Sequence, residues 1–380
     1  EELVECYNKH VELYNAEHAD AIKRGAVEAK NPSSVGFIEK ASGIKSRYSI
    51  DKAGILDVDR MRPRVAPRPN EEISLMAECG VAAARQALGN AGRDAADVDA
   101  VICSGTSMQR TYPCIAIEIQ DALGIEGFGF DMTVACSSGT FAIINAVNMI
   151  KSGMAKSILV VCPELTTAQL NFRDRDSHFI FGDVAVAMLI EAEDMAGGDG
   201  WRVLGTRMMT KFSNNIRSNF GFMNACEVPE PEFEERYFVQ EGRKVYKEVC
   251  PMVAEMILED LATINLTPAD MKRLWLHQAN INMNMMVARK VLGRDAELDE
   301  APVILDEFAA SYAAALGVTT THLTRVCKEC SGKTASQILA DRKIAEARRL
   351  LADTRLPVKA IAADLGFASA AYFTRSFQAH

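Results

Sequence analysis

The stretch Asp131-Met132-Thr133-Val134-Ala135-Cys136-Ser137-Ser138-Gly139-Thr140 sets a cysteine between an apolar strand pattern and a helix that opens on small residues. A thiol at a helix start faces unsatisfied N–H groups and the positive end of the helix dipole. Both favour the thiolate, so this position predicts a lowered pKa and a nucleophile. Small neighbours also leave room for a substrate to approach. The bland alternative is a cysteine packed as a small hydrophobe, the reading that suits most of the other nine.

Outward from Cys136, the pattern predicts a strand over 128–135, a helix over 137–152 stopped by Gly153, and a buried strand over 157–163. Upstream lie a Pro-bearing loop over 62–69, a strong helix over 73–91, an apolar strand over 100–106 and a helix over 115–123 ended by Gly124. Downstream, residues 178–191 read as a strand pair with Gly182-Asp183 between the strands, and 195–245 as an irregular insertion. The pattern continues with a helix over 243–264, a strand over 273–276, a helix over 281–292 and a strand over 301–305. Strands alternating with helices predict a layered α/β core.

After Phe308 the grammar changes to continuous helical period with short turns. Residues 309–380 carry ten Lys/Arg and five Asp/Glu, a net +5, which leaves −14 on the first 308 residues. An acidic body with a basic tail assigns any nucleic-acid contact to the tail. At 380 residues, about half of them apolar, the chain is long enough for two or three domains. No run of 18 apolar residues occurs, so the sequence predicts no membrane span and a cytoplasmic protein. The ten scattered cysteines do not form a disulfide framework. Cys327 and Cys330 make a single C-x-x-C with no second pair, so no metal site is expected.

Three further segments bear on Cys136. Trp275-Leu276-His277-Gln278-Ala279-Asn280 puts a histidine at a predicted strand end leading into a helix, where it can serve as base or hydrogen-bond donor. With Phe181-Gly182-Asp183-Val184-Ala185 and Glu241-Gly242-Arg243-Lys244-Val245, in this order and spacing, the chain from residue 1 to Phe308 resembles the type III ketoacyl synthases of the thiolase-like superfamily. That resemblance implies a five-layered αβαβα fold of two similar halves, over 1–190 and 191–308, working as a homodimer. It implies that acyl-CoA acylates Cys136 and that the acyl group is condensed with decarboxylating malonyl-acyl-carrier protein, with no tightly bound cofactor. His277 maps onto the residue that, with an asparagine, stabilises the enolate oxygen. Gly43-Ile44-Lys45-Ser46-Arg47 maps near the CoA entrance, and Phe37 onto an aromatic that stacks on the adenine. Gly182 and Asp183 read as a structural turn. Hydroxymethylglutaryl-CoA synthases share the Cys/His logic, so the substrate stays open.

The resemblance also marks departures. Where the family continues into an Asn-Thr-Ser-rich turn bearing the catalytic asparagine, this chain has Ala309-Ala310-Ser311-Tyr312. The family's last helix, final strands and glycine loop have no counterpart, and Glu1 already falls inside the first helix. The condensing part therefore reads as truncated at both ends, and condensation as impaired.

Residues 311–380 show helix-turn-helix patterning twice, around Gly317-Val318 and Gly366-Phe367, joined by a basic helix. With Gly332-Lys333-Thr334 and Arg348-Arg349-Leu350-Leu351, this segment resembles the AraC/XylS DNA-binding family. The resemblance makes 319–330 and 369–379 recognition helices and brings Thr321, His322, Arg325, Ala370, Tyr372 and Arg375 toward duplex DNA. The alternative is a compact helical packing module with solvated charges. With no linker at Phe308, the whole reads as a chimera, a natural fusion sensing acyl-CoA being the other reading.

Overall fold

The computed structural model describes residues 1–196, 200–219, 221–229, 236–296 and 300–301, with residues 347, 348, 351, 357–359, 373, 374 and 377. The chain divides into two compact units, Glu1–Leu305 and Asp306–His380.

The first unit opens with α1 (Glu2–Glu17), α2 (Ala19–Lys23), α3 (Val35–Ser42) and α4 (Lys52–Ile55). Ser34 caps α3 by accepting from Phe37 N–H (3.1 Å), and Gly43 ends it in the left-handed conformation. Next come α5 (Leu75–Ala91), β1 (Ala100–Ser104), α6 (Ile115–Leu123), β2 (Phe128–Met132), α7 (Ser138–Lys151), β3 (Ser157–Leu165) and β4 (Asp183–Glu191). The sheet order is β2-β1-β3-β4, with β4 antiparallel to β3 and the other neighbours parallel.

All five residues of β1 are buried, because both sheet faces are covered and no polar alternation is needed. Val101, Cys103, Leu159 and Val161 pack with α5 and α6 residues such as Ala84 and Ile119. Ala100, Ile102, Ile158 and Val160 pack with Ala142 and Ala146 of α7. Two glycines permit close approaches. A Cβ on Gly80 would lie 2.6 Å from Ile119 Cδ1, and one on Gly127, at φ +123°, would lie 2.1 Å from the Asp99 carbonyl oxygen.

The second half of this unit contributes β5 (Ile216–Ser218) and β6 (Phe238–Gln240), an antiparallel pair within the stretch read as irregular. It then adds α8 (Gly242–Thr263) and α9 (Ile281–Leu292). Cys250 and Ala254 pack against Val287, Ala288 and Val291.

Two sequence expectations are corrected. Residues 178–181 form no strand, leaving β4 alone where a pair was predicted. Instead His178 N–H bonds Asp174 O (3.0 Å) and Ile180 N–H bonds Ser177 O (3.1 Å), so local turns take the backbone donors that pairing would need. Residues 273–276 are not a strand either, although Leu274 N–H donates to Glu300 O (2.7 Å). Beyond Ala301, the strand predicted over 301–305 lies outside the described residues.

In the second unit Ala347 and Phe373 are buried, and the Phe373 and Phe377 rings lie 5.6 Å apart. Thr321, His322, Arg325, Ala370, Tyr372 and Arg375 lie outside the described residues, as do Ala309 to Tyr312 at the join. Among the described residues no helix is long and apolar enough to cross a membrane.

Candidate active site

Cys136 stands on a tight elbow between β2 and α7. Ala135 just before it has φ +48°, a left-handed conformation that alanine rarely adopts and that is often held at functional turns. Ser138 holds this elbow in place. Its buried hydroxyl accepts from Val134 N–H (2.7 Å) and lies 2.7 Å from Ala135 O and 2.9 Å from Gly105 O. Gly105 follows β1, so the serine ties the Cys136 loop to the end of the neighbouring strand. Gly139 leaves room on the other side, where a Cβ would come 3.3 Å from Cys162 Sγ.

Cys136 is exposed. Its thiol is not the acidic one that the helix start predicted. Desolvation by the surrounding protein, then the negative charge of Glu164, pushes its pKa up. Helix α7 begins only at Ser138, two residues on, and the local field is set by a carboxylate that the sequence did not bring into view. Glu164 itself accepts from Thr106 N–H (2.8 Å) and Thr106 Oγ1 (2.5 Å), and burial raises its own pKa. The C-terminal ends of β1, β2 and β3 thus converge on one polar site. Cys6, Cys103 and Cys250 are buried and fit a packing role, whereas Cys226 is exposed.

His277 lies in the segment leading to α9 and is also exposed. Desolvation and then the charge of Arg47 lower its pKa, which keeps the imidazole neutral. Arg47 is anchored by its own bonds, Nε and Nη2 each donating to Ile180 O at 3.3 Å. Asn280 bridges α9 to the same region. Its Oδ1 caps α9 by accepting from Asn282 N–H (2.8 Å) and Met283 N–H (3.2 Å), while Nδ2 donates to Ala41 O (2.9 Å). Among the described residues no hydrogen bond joins Cys136 to His277; after desolvation, each is tuned by a different charged residue.

The stretch 43–47 packs beside the Gly182 turn, where an added Cβ would meet Tyr48 O at 2.9 Å. Asp183 accepts from Ile50 N–H (2.8 Å) and Thr167 N–H (2.9 Å), which makes this turn a structural clamp. Phe37 carries the Arg175 guanidinium 4.2 Å above its ring, a cation–π pair with a flat face. Glu164 and Thr106 were missed by the sequence reading. The only local signal for Glu164 was an acidic residue closing an apolar run.

A family model described as 3-oxoacyl-acyl-carrier-protein synthase III matches residues 130–211. A beta-ketodecanoyl-acyl-carrier-protein synthase of Pseudomonas aeruginosa is 54% identical over 312 residues, covering 82% of this chain and 89% of that protein. The chain belongs to the 3-oxoacyl-acyl-carrier-protein synthase III family. A beta-ketoacyl-acyl-carrier-protein synthase III of Pseudoalteromonas atlantica is 32% identical over 239 residues, covering 63% of this synthase and 72% of that one. Crystal structures of the Aquifex aeolicus and Thermus thermophilus enzymes superpose with TM-scores of 0.55 and 0.54 at 24% and 22% identity. They cover 75% and 77% of this chain, and 83% and 86% of their own. These likenesses give the synthase its thiolase-like fold. A model described as a helix-turn-helix domain matches residues 312–380.

Proposed function

We propose that the Glu1–Leu305 unit acylates Cys136 from an acyl-CoA and passes the acyl group toward malonyl-acyl-carrier protein, as a cytoplasmic homodimer without a tightly bound cofactor. The observation that carries this reading is the exposed Cys136 on its left-handed elbow. In the first half-reaction the Sγ electron pair attacks the thioester carbonyl, the C–S bond to CoA breaks, and the CoA sulfur leaves and takes up a proton. In the second, malonyl thioester loses CO₂ to give an enolate whose carbon attacks the acyl-enzyme, returning the thiolate. A neutral His277 suits this step, because it donates a hydrogen bond to the enolate oxygen without first losing a charge. The name of the Pseudomonas aeruginosa relative points to an eight-carbon acyl group lengthened by two.

The second half-reaction is expected to be slow. Ala309-Ala310-Ser311-Tyr312 stands where the family has its catalytic asparagine. Asn280 is already spent as a helix cap and on Ala41. Loss of one oxyanion donor costs roughly 10² to 10³ in rate. Intact-mass measurement after incubation with acetyl-CoA or octanoyl-CoA tests the first half: a mass gain absent from Cys136→Ala is expected, and a gain that survives the substitution overturns it.

A second reading concerns 309–380. Its helix-turn-helix match and net +5 support duplex-DNA binding through Thr321, His322, Arg325, Ala370, Tyr372 and Arg375. Fluorescence anisotropy of duplex DNA is expected to show binding that weakens steeply with salt. Binding that ignores salt, or none at low salt, removes this reading.

A further inference from the structure

Between β4 and β5, residues 203–213 belong to no helix or strand, yet they run as an extended segment along α8. Gly205 lies at the C-terminal end of that helix, where an added Cβ would come 3.0 Å from Ile264 Cγ2. Arg207 pairs with Glu259, and Ser213 Oγ and Asn215 Nδ2 donate to Glu248 at 2.9 and 2.7 Å. From Gly205 to Ser213 an extended chain covers about 26 Å, and from Ile264 back to Glu248 a helix covers about 24 Å, so the two run antiparallel in step.

These contacts to α8 all come from odd-numbered positions, which share one face of an extended chain. The even-numbered positions Leu204, Thr206, Met208, Thr210 and Phe212 form the other face and carry no charge. Leu204, Met208 and Phe212 are exposed, Phe212 at 85%. Among the described residues, 201–213 make no backbone–backbone hydrogen bond, so the donors and acceptors of both edges are open. Such an edge is a template for a further extended chain.

The segment is complementary to itself. Antiparallel pairing of two copies centred on Met208 sets Leu204 opposite Phe212 and Thr206 opposite Thr210, pairs that stabilise neighbouring strands. It sets Arg202 opposite Asn214, Arg207 opposite Met209 and Lys211 opposite Gly205, so no two like charges face each other. Centring on Arg207 would oppose Arg207 to itself, and centring on Met209 would oppose Arg207 to Lys211. Arg202 and Arg207 are already balanced by Glu193 (3.6 Å) and Glu259.

We propose that the open edge of 203–213 is a self-association surface, on which a second copy of this chain pairs antiparallel about a twofold axis through Met208. It is additional to the homodimer proposed above and does not depend on Cys136.

Sedimentation velocity of the full chain over about 1 to 300 μM is expected to show a concentration-dependent association step, weak because one chain edge buries less than about 1,200 Å². Thr206→Lys/Thr210→Lys puts lysine opposite lysine in both pairs and is expected to weaken that step at least ~10-fold. Mixing this variant with Thr206→Glu/Thr210→Glu is expected to restore it, which a general loss of folding would not allow. Met208→Cys gives a second readout in a chain otherwise unchanged. Residues directly opposite lie about 4.5 to 5.5 Å apart at Cα, within disulfide reach. Oxidation with diamide is therefore expected to join two copies through position 208, mapped by peptide mass, while Lys211→Cys is not joined to its own copy. A wild type with no concentration-dependent step overturns the proposal. So does a step untouched by the Lys substitutions, which leaves the homodimer of the condensing reading standing on another face. A Met208→Cys chain that stays unlinked at position 208 overturns it as well.

Discussion

Replacing Glu164 by glutamine removes the negative charge that stands second to desolvation in holding up the Cys136 thiol. Alkylation of Cys136 by iodoacetamide is therefore expected to reach its half-maximal rate at lower pH in Glu164→Gln, with the Thr106 contacts still open to the amide. A midpoint that stays put would leave desolvation as the whole cause. The sign reverses at His277. Arg47 lowers that pKa, so Arg47→Gln is expected to raise it toward the ordinary 6.5 and to move the acidic limb of malonyl decarboxylation to higher pH. Cys136 was legible because its small polar followers are local. Its tuning was not, because Glu164 and Arg47 reach the site only through strand pairing and loop packing.

At the scale of elements, α6 and α9 have the predicted bounds because apolar period and a terminal glycine are both local signals. Helix α5 shows what a cap contributes. Ser74 accepts from Ala77 N–H (3.1 Å) and donates to Glu118 of α6, so Ser74→Ala removes a cap and one hydrogen bond to a buried carboxylate, which keeps the Ser74 N–H (3.3 Å) and Arg110 (3.5 Å). A loss of about 1 to 3 kcal/mol in urea unfolding is expected, with an unchanged slope. Gly127→Ala is expected to cost more than about 1 kcal/mol, since φ +123° is strained for alanine and the Asp99 carbonyl fills the space. Apolar period misled at two places, and at one of them polar contacts won. At 178–181 the apolar residues suggested a strand, but His178, stacked 4.6 Å from Tyr7, sits in a turn with Nδ1 3.0 Å from the Asp174 and Arg175 carbonyls.

For the whole molecule, His10 and His178 couple stability to pH. Both have folded pKa values below the ordinary 6.5, His10 at about 4, so they stay neutral when folded yet protonate in the unfolded chain. Their contribution is fully present above 6.5 and declines as pH falls toward 4. The urea midpoint is expected to drop across that window, and less so in His178→Phe, whose parent imidazole leaves Nε2 buried without a partner. An equal drop in the variant would assign the effect to other groups. The sequence by itself determined the family, the alternation of strands and helices and the change of grammar after Phe308, and it singled out Cys136 and His277 as candidates, all signals carried by neighbours along the chain. Only the tertiary structure decided the electrostatics: a raised Cys136 and a neutral His277. Charge acts through space, and the fold brings together groups that the sequence keeps apart.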